Sequence, residues 1–196
     1  DRPQPTELWN LSADAVSPTL WNDEWDGSPV IIGNHLVAGG DNSQFHIVKL
    51  NRSYGDGGLA QVAPQLVFNT PGWDDQLLAD VGDTQMSIEN SVAVSGNTVY
   101  FSNGGGLVQG WDLTGFRDGR PPRRTFRFWT GDDMDASVVV DEQGFLYVGV
   151  EWERHNARAT EVGQIMKLDP RRPNDPLVWS IADQGADVAG VWGTPA

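Results

Sequence analysis

The chain of 196 residues has no cysteine, little positive charge and no long apolar run. Without cysteine, the protein has no disulfide, no thiolate metal site and no cysteine nucleophile. Lysine and arginine number 13 against 27 acidic residues, and this net charge of -14 makes binding to nucleic acid through nonspecific electrostatics unfavourable. Since no segment approaches the roughly 20 apolar residues of a membrane helix, we expect no membrane insertion.

Four similar tripeptides recur along the chain, each with a bulky apolar residue, an aromatic residue and a small polar residue. The aromatic residues are Trp9, Phe68, Trp129 and Trp179. A period of about 50 to 60 residues is typical of stacked supersecondary units, and the four-stranded blade of a β-propeller is the all-β unit of that length. The repeat therefore predicts an all-β fold.

Other features recur in step with the aromatic residues. A small hydroxyl residue opens an apolar run at Ser28, Ser91, Ser137 and Thr194. A turn containing glycine follows in the first three copies, and glycine and asparagine supply the positive φ of hairpin turns, so the first two runs of each copy should pair. A third run and the aromatic run complete four antiparallel strands. The predicted blades span 28–70, 91–131 and 137–181, and the one helix-like segment is 74–81.

The two ends of the chain suggest incomplete blades. A lone fourth strand is expected at 7–11 and a lone first strand at 193–196. Closed propellers typically contain about four to eight blades, more than the three complete ones found here. We therefore expect one domain over residues 1–196 that is part of a larger propeller. The rest of that propeller, or another protein chain, would then pair with the open edges.

The turn between the third and fourth strands, together with the aromatic residue that follows, resembles the pyrroloquinoline-quinone-like (PQQ-like) propeller repeat. That family has an Ala-x-Asp-x-x-Thr-Gly turn and a tryptophan on the fourth strand. Asn51 and Gly55 match part of the turn, Asp112, Thr114 and Gly115 match it one residue shorter, and Asp169 matches its Asp; Phe68, Trp129 and Trp179 take the tryptophan position. The resemblance covers nearly the whole chain and implies aromatic residues that pack between neighbouring blades.

The resemblance implies two classes of function. The first is an extracytoplasmic propeller, periplasmic or secreted, that binds a ligand, such as a small molecule, or acts as a scaffold without its own catalysis. The alternative is a fragment of a PQQ- and calcium-dependent alcohol or sugar dehydrogenase. The adjacent cysteine pair of many quinone alcohol dehydrogenases is absent, and no residue matches a quinone or calcium ligand individually, which favours the first hypothesis. Cysteine-free sugar dehydrogenases keep the second one open.

Loops from distant parts of the sequence should meet at one face of such a propeller. The loops before the first strands and after the second strands are rich in acidic residues. The candidate binding rim consists of Asp26, Asp41, Asn42, Glu89, Asn103, Asp135, Glu151, Arg154 and His155. His155 lies in a long polar loop, where it is either an exposed side chain or a proton acceptor or ligand.

Three carboxylates of this rim occupy equivalent places in successive copies. Asp26, Glu89 and Asp135 each precede the hydroxyl residue of a first strand by two positions. The rotation that relates the blades should bring them to one rim, and carboxylate oxygens suit Ca²⁺, so these three are the candidate calcium ligands. The alternatives are a solvated acidic surface or a catalytic acid or base. We assign no catalytic residue.

Overall fold

The computed structural model describes residues 4, 7–182 and 189–196. The chain is mostly β, with 34% strand and 12% helix. The first four-stranded sheet contains β1 (Val30–Ile32), β2 (His35–Gly39), β3 (Gln44–Lys49) and, after the small hairpin of β4 (Ser53–Tyr54) and β5 (Ala60–Gln61), β6 (Gln65–Pro71). The second contains β7 (Ala93–Ser95), β8 (Thr98–Phe101), β9 (Leu107–Asp112) and β10 (Arg123–Trp129).

The third sheet has the same antiparallel order with an insertion. It contains β11 (Val139–Val140), β12 (Leu146–Gly149), β14 (Ile165–Leu168) and β15 (Leu177–Ile181), and β13 (Glu151–Trp152) pairs separately with β16 (Ala189–Gly190). Helix α1 (Asp75–Val81) begins after its N-cap Asp74 and confirms the helix expected at 74–81. Helix α2 (Ala157–Val162) was not expected from the sequence.

The predicted hairpins between first and second strands are confirmed. Ile32 pairs with His35 and Ser95 pairs with Thr98, which leaves two-residue turns between them. Gly33 and Gly96 open these turns with φ values of 60° and 59°, the left-handed conformation that such turns require and glycine adopts without strain.

The strand pairing aligns the three sheets residue by residue. The equivalent residues of the second strands are Val37, Tyr100 and Tyr147 in the first, second and third sheets. On the first strands they pair with Val30, Ala93 and Val139, respectively. On the third strands they pair with Ile47, Gly110 and Lys167, respectively. In every sheet a β-bulge on the fourth strand interrupts its pairing with the third strand. The first paired residue of the fourth strand after the bulge is Phe68 in the first sheet, Phe126 in the second and Trp179 in the third. Trp129 therefore lies three residues beyond the position equivalent to Phe68.

The hydrophobic core lies between successive sheets. Phe45 of the first sheet stacks on Phe101 of the second, with ring centroids 4.7 Å apart. Phe126 of the second sheet belongs to a buried cluster with Leu146 and Met166 of the third. Each sheet thus buries its apolar side chains against its neighbour in the sequence.

Two strand predictions at the ends of the chain are wrong. Residues 7–11 and 193–196 are not strands. A strand needs a neighbour for its backbone hydrogen bonds, and neither segment has an adjacent second or third strand within the described part of the chain. In the same region, the short β16 pairs with β13 instead.

Candidate functional site

One edge of the three sheets gathers the loops before the first strands and after the second strands. A backbone hydrogen bond joins these two loops in the same way in every sheet. The N–H groups of Asp41, Gly104 and Glu151 donate to the backbone carbonyl oxygens of Glu24, Ser87 and Asp133, respectively, at 3.2, 2.8 and 2.9 Å. Asp41, Gly104 and Glu151 are equivalent in the alignment of the sheets, and so are Asp26, Glu89 and Asp135. We call Glu24, Asp26, Asp41, Glu89, Asp133, Asp135 and Glu151 the acidic edge.

The first sheet contributes a group of three carboxylates to this edge. Glu24, Asp26 and Asp41 each place one carboxylate oxygen within 4.8 Å of the other two. Asp41 is only 2% exposed, whereas Glu24 and Asp26 are exposed. Burial, followed by the charges of Glu89 and Asp26, raises the pKa of Asp41 to about 6. The three residues form the first carboxylate triad.

The third sheet carries the equivalent group, Asp133, Asp135 and Glu151, which we call the second carboxylate triad. The Asp135 N–H donates to Glu151 Oε1 at 3.3 Å. Burial raises the pKa of Asp133 to about 7, of Asp135 to about 6 and of Glu151 to about 8, with the neighbouring carboxylates adding to the effect. A carboxyl group that titrates near neutrality can hold a proton, accept a cation or act as a general acid or base.

Glu89 connects the two triads. Ser87 Oγ donates to Glu89 Oε1 at 2.6 Å. The negative charge of Glu89 raises the pKa of both Asp41 in the first triad and Asp135 in the second. The structure thus brings together five of the predicted rim residues, Asp26, Asp41, Glu89, Asp135 and Glu151.

The proposed calcium ligands are arranged differently from the expectation. Glu89 and Asp135 are neighbours, but the compact group of ligand atoms around Asp26 is completed by Glu24 and Asp41. Glu24 and Asp133, the two members of the triads absent from the predicted rim, lie two residues before Asp26 and Asp135. This constant spacing in the sequence was the signal that could have identified them.

Arg154 links the edge to the second sheet. Its Nε and Nη2 donate to the carbonyl oxygen of Gly104 at 3.1 and 2.9 Å, and its Nη1 pairs with Asp83. Nη2 also lies 3.7 Å from Asp133 Oδ2. Arg154 therefore supplies positive charge to the second triad and crosslinks the loops around Gly104.

The remaining predicted rim residues stabilise loops. Asn42 donates to the carbonyl oxygen of Ala13 at 2.9 Å, and Asn103 donates to that of Gly72 at 2.7 Å. Both side chains also accept backbone N–H groups of their own loops. The His155 ring contacts the Trp152 ring edge-on, with centroids 5.2 Å apart.

No family model matches the chain, and no curated protein sequence matches it either. Within residues 4, 7–182 and 189–196, no helix combines the length and the apolar character needed to span a bilayer.

Proposed function

We propose that this chain is part of an extracytoplasmic β-propeller that acts as a binding or scaffold module without its own catalysis, and that the acidic edge is its surface for cationic ligands. The observation that carries the proposal is a repeated contact between sheets. The N–H groups of Ser28, Ser91 and Ser137 donate to the hydroxyl oxygens of Ser91, Ser137 and Thr194, respectively, at 3.1, 3.0 and 3.1 Å.

The repeat continues into residues 189–196, beyond the third sheet. Ile88 N–H donates to the carbonyl oxygen of Gly40, and Val191 N–H donates in the equivalent way to that of Val150. Thr194 also occupies the place of Ser91 and Ser137. These contacts support a fourth unit that follows the third sheet, as expected in a propeller. The resemblance to PQQ-like repeats supports the extracytoplasmic location.

The charge of the acidic edge supports the class of ligand. Seven carboxylates lie along one edge, and among the described residues Arg154 is the basic side chain that forms an ion pair with one of them. A concentration of like charge attracts counterions and cationic groups, and such association weakens as salt screens it.

Binding of a short oligolysine peptide, measured by isothermal titration calorimetry at two salt concentrations, tests the proposal. We expect the double variant Glu89→Gln/Asp135→Asn to bind more weakly and to lose part of the salt dependence. The matched control Asp56→Asn/Glu142→Gln removes the same charge from exposed positions outside the edge and should bind like the parent protein.

Two results would overturn the proposal. One is oligolysine binding that both double variants weaken equally, because the edge would then have no special role. The other is a quinone absorbance that survives desalting after incubation with PQQ, with dye reduction when alcohols or sugars are added, because the chain would then belong to a dehydrogenase.

A further inference from the structure

The two carboxylate triads share one backbone contact but have different surroundings. In the first, the Asp41 N–H donates to the carbonyl oxygen of Glu24, and in the second, the Glu151 N–H donates to that of Asp133. Their central carboxylates, Asp41 and Glu151, are 2% and 1% exposed. The backbone contact and the burial of the central carboxylate therefore match, whereas the nearby positive charge differs between the two triads.

The second triad has a cation supplied by the chain itself. The guanidinium of Arg154 lies 3.7 Å from Asp133, and its charge opposes the effect of burial on the pKa of that residue. Arg154 is held in this place by Gly104 and Gln85, whose carbonyl oxygens accept its hydrogen bonds.

The first triad has no such partner. Among the described residues, no lysine or arginine forms an ion pair with Glu24, Asp26 or Asp41. The groups whose charges act on Asp41 are the carboxylates of Glu89, Asp26 and Glu24. The triad therefore concentrates negative charge without the compensation found in its counterpart.

A second observation points to a missing cation. Asp41 Oδ1 is buried and accepts no hydrogen bond from the described residues. A buried carboxylate oxygen without a partner is costly, whereas a metal ion bound to it would replace the lost hydration. The carboxylate of Asp41 also contributes an oxygen to the group within 4.8 Å, which places it among the possible ligands.

We propose that Glu24, Asp26 and Asp41 bind a calcium ion, which takes the place that Arg154 has at the second triad. Carboxylates bind Ca²⁺ through one or both oxygens, and water completes its six to eight ligands, which suits a site with one buried and two exposed carboxylates. Mg²⁺ requires a stricter octahedral geometry and is expected to bind more weakly. The inference rests on the proposed function because it specifies one ligand of the acidic edge.

Terbium luminescence tests the site directly, since Tb³⁺ replaces Ca²⁺ at oxygen ligands and is excited by a nearby tryptophan. Trp25 lies between Glu24 and Asp26 in the sequence, and its ring is close to Gly40, the residue before Asp41. We expect saturable tryptophan-sensitised emission that Ca²⁺ displaces. Asp26→Asn and Glu24→Gln should each weaken binding by about tenfold or more, since affinity follows the number of charged ligands.

Matched variants separate this site from other carboxylates. Asp56→Asn and Glu142→Gln change exposed positions outside the acidic edge, and both should leave the terbium affinity unchanged. Asp41→Asn should abolish binding, with circular dichroism to verify its fold. Since Glu24 and Asp26 are exposed, their variants test the site even if Asp41→Asn does not fold.

The inference is overturned if the parent protein gives no saturable emission, if Ca²⁺ does not displace it, or if Asp26→Asn binds terbium as the parent does. Oligolysine binding to Glu89 and Asp135 is measured separately. If the parent protein binds oligolysine but not Ca²⁺, the metal site alone is rejected. If it binds neither, the proposed function is rejected as well.

Discussion

The backbone N–H of Ser91 donates a 3.0 Å hydrogen bond to the hydroxyl oxygen of Ser137, 46 residues later in the chain. Ser91 and Ser137 each lie two residues before the first strand of a sheet, and the equivalent residues of the other units are joined in the same way. The bond adds to the apolar contacts between these two units and to the hydrogen bonds that Arg154 donates to the carbonyl oxygen of Gly104.

Replacement of this hydroxyl should weaken the fold. In Ser137→Ala the half-buried N–H of Ser91 has no partner, and we expect a loss of about 1 kcal/mol in the free energy of unfolding, measured in urea. Ser137→Thr should retain the parent stability, because Thr194 accepts the equivalent bond. Equal stability of the alanine and threonine variants would show that the bond contributes nothing.

The acidic edge should make the protein more stable at mildly acidic pH. A carboxyl whose pKa is higher in the folded than in the unfolded protein binds its proton more tightly when folded, so stability is lost as the pH rises through the folded pKa. That pKa is about 6 for Asp41 and Asp135, about 7 for Asp133 and about 8 for Glu151. With a chelator present, we expect Tm to increase as the pH falls from about 8 to about 5.

Glu151→Gln tests the origin of this pH dependence, because it removes the carboxyl group with the highest of these pKa values, and Glu142→Gln is its control. The variant should gain Tm at pH 8 relative to the parent and show a flatter profile, whereas Glu142→Gln should follow the parent profile. A parent Tm that increases steadily toward pH 8 would contradict the prediction.

Asp74 should have the opposite pH dependence. It accepts hydrogen bonds from Arg127 Nε and Nη2, both at 2.9 Å, and caps α1 through the Leu77 N–H at 3.0 Å. The Arg127 hydrogen bonds, followed by the cap, hold its pKa below the usual 3.8, so its contribution is present above that value and is lost in stronger acid. We expect Asp74→Ala to lower the free energy of unfolding at neutral pH by about 2 kcal/mol.

Asp74→Asn separates the two roles of this residue. Asparagine can cap the helix but removes the charge paired with Arg127, so its loss of stability should be smaller than that of alanine. If the two variants unfold at the same urea concentration, the cap contributes nothing and the ion pair accounts for the effect.

The outer surface of the third sheet should cause self-association. Trp179 and Ile181 of β15 are large, apolar and exposed there. Because such side chains favour contact with another sheet, we expect the sedimentation coefficient to increase with protein concentration. Ile181→Lys should reduce the increase. A compact monomer over the whole concentration range would contradict both this prediction and the expected open edge.

Much of the fold follows from local sequence signals. Glycine and asparagine at 33–34 and 96–97 specify two hairpins, and the hydroxyl residues mark where first strands begin. Asp74 signals α1 because its side chain caps the helix. These signals are local, so the sequence alone predicts them.

The errors have a different physical origin. The equivalence of Phe126 with Phe68 depends on a bulge between Arg124 and Phe126, and the tripeptide pattern favoured Trp129 instead. Strand formation at the chain ends depends on neighbouring strands. At the acidic edge, the sequence predicted which loops meet, but Asp41 and Glu24 come together through a backbone hydrogen bond that has no motif.

The hydrogen bonds that Ser28, Ser91 and Ser137 donate all run toward the later part of the chain. During translation, the hydroxyl that accepts each bond leaves the ribosome after the N–H that donates it. Each sheet can therefore form this hydrogen bond only after the start of the following unit has left the ribosome. The order of synthesis is then also the order in which the sheets can join.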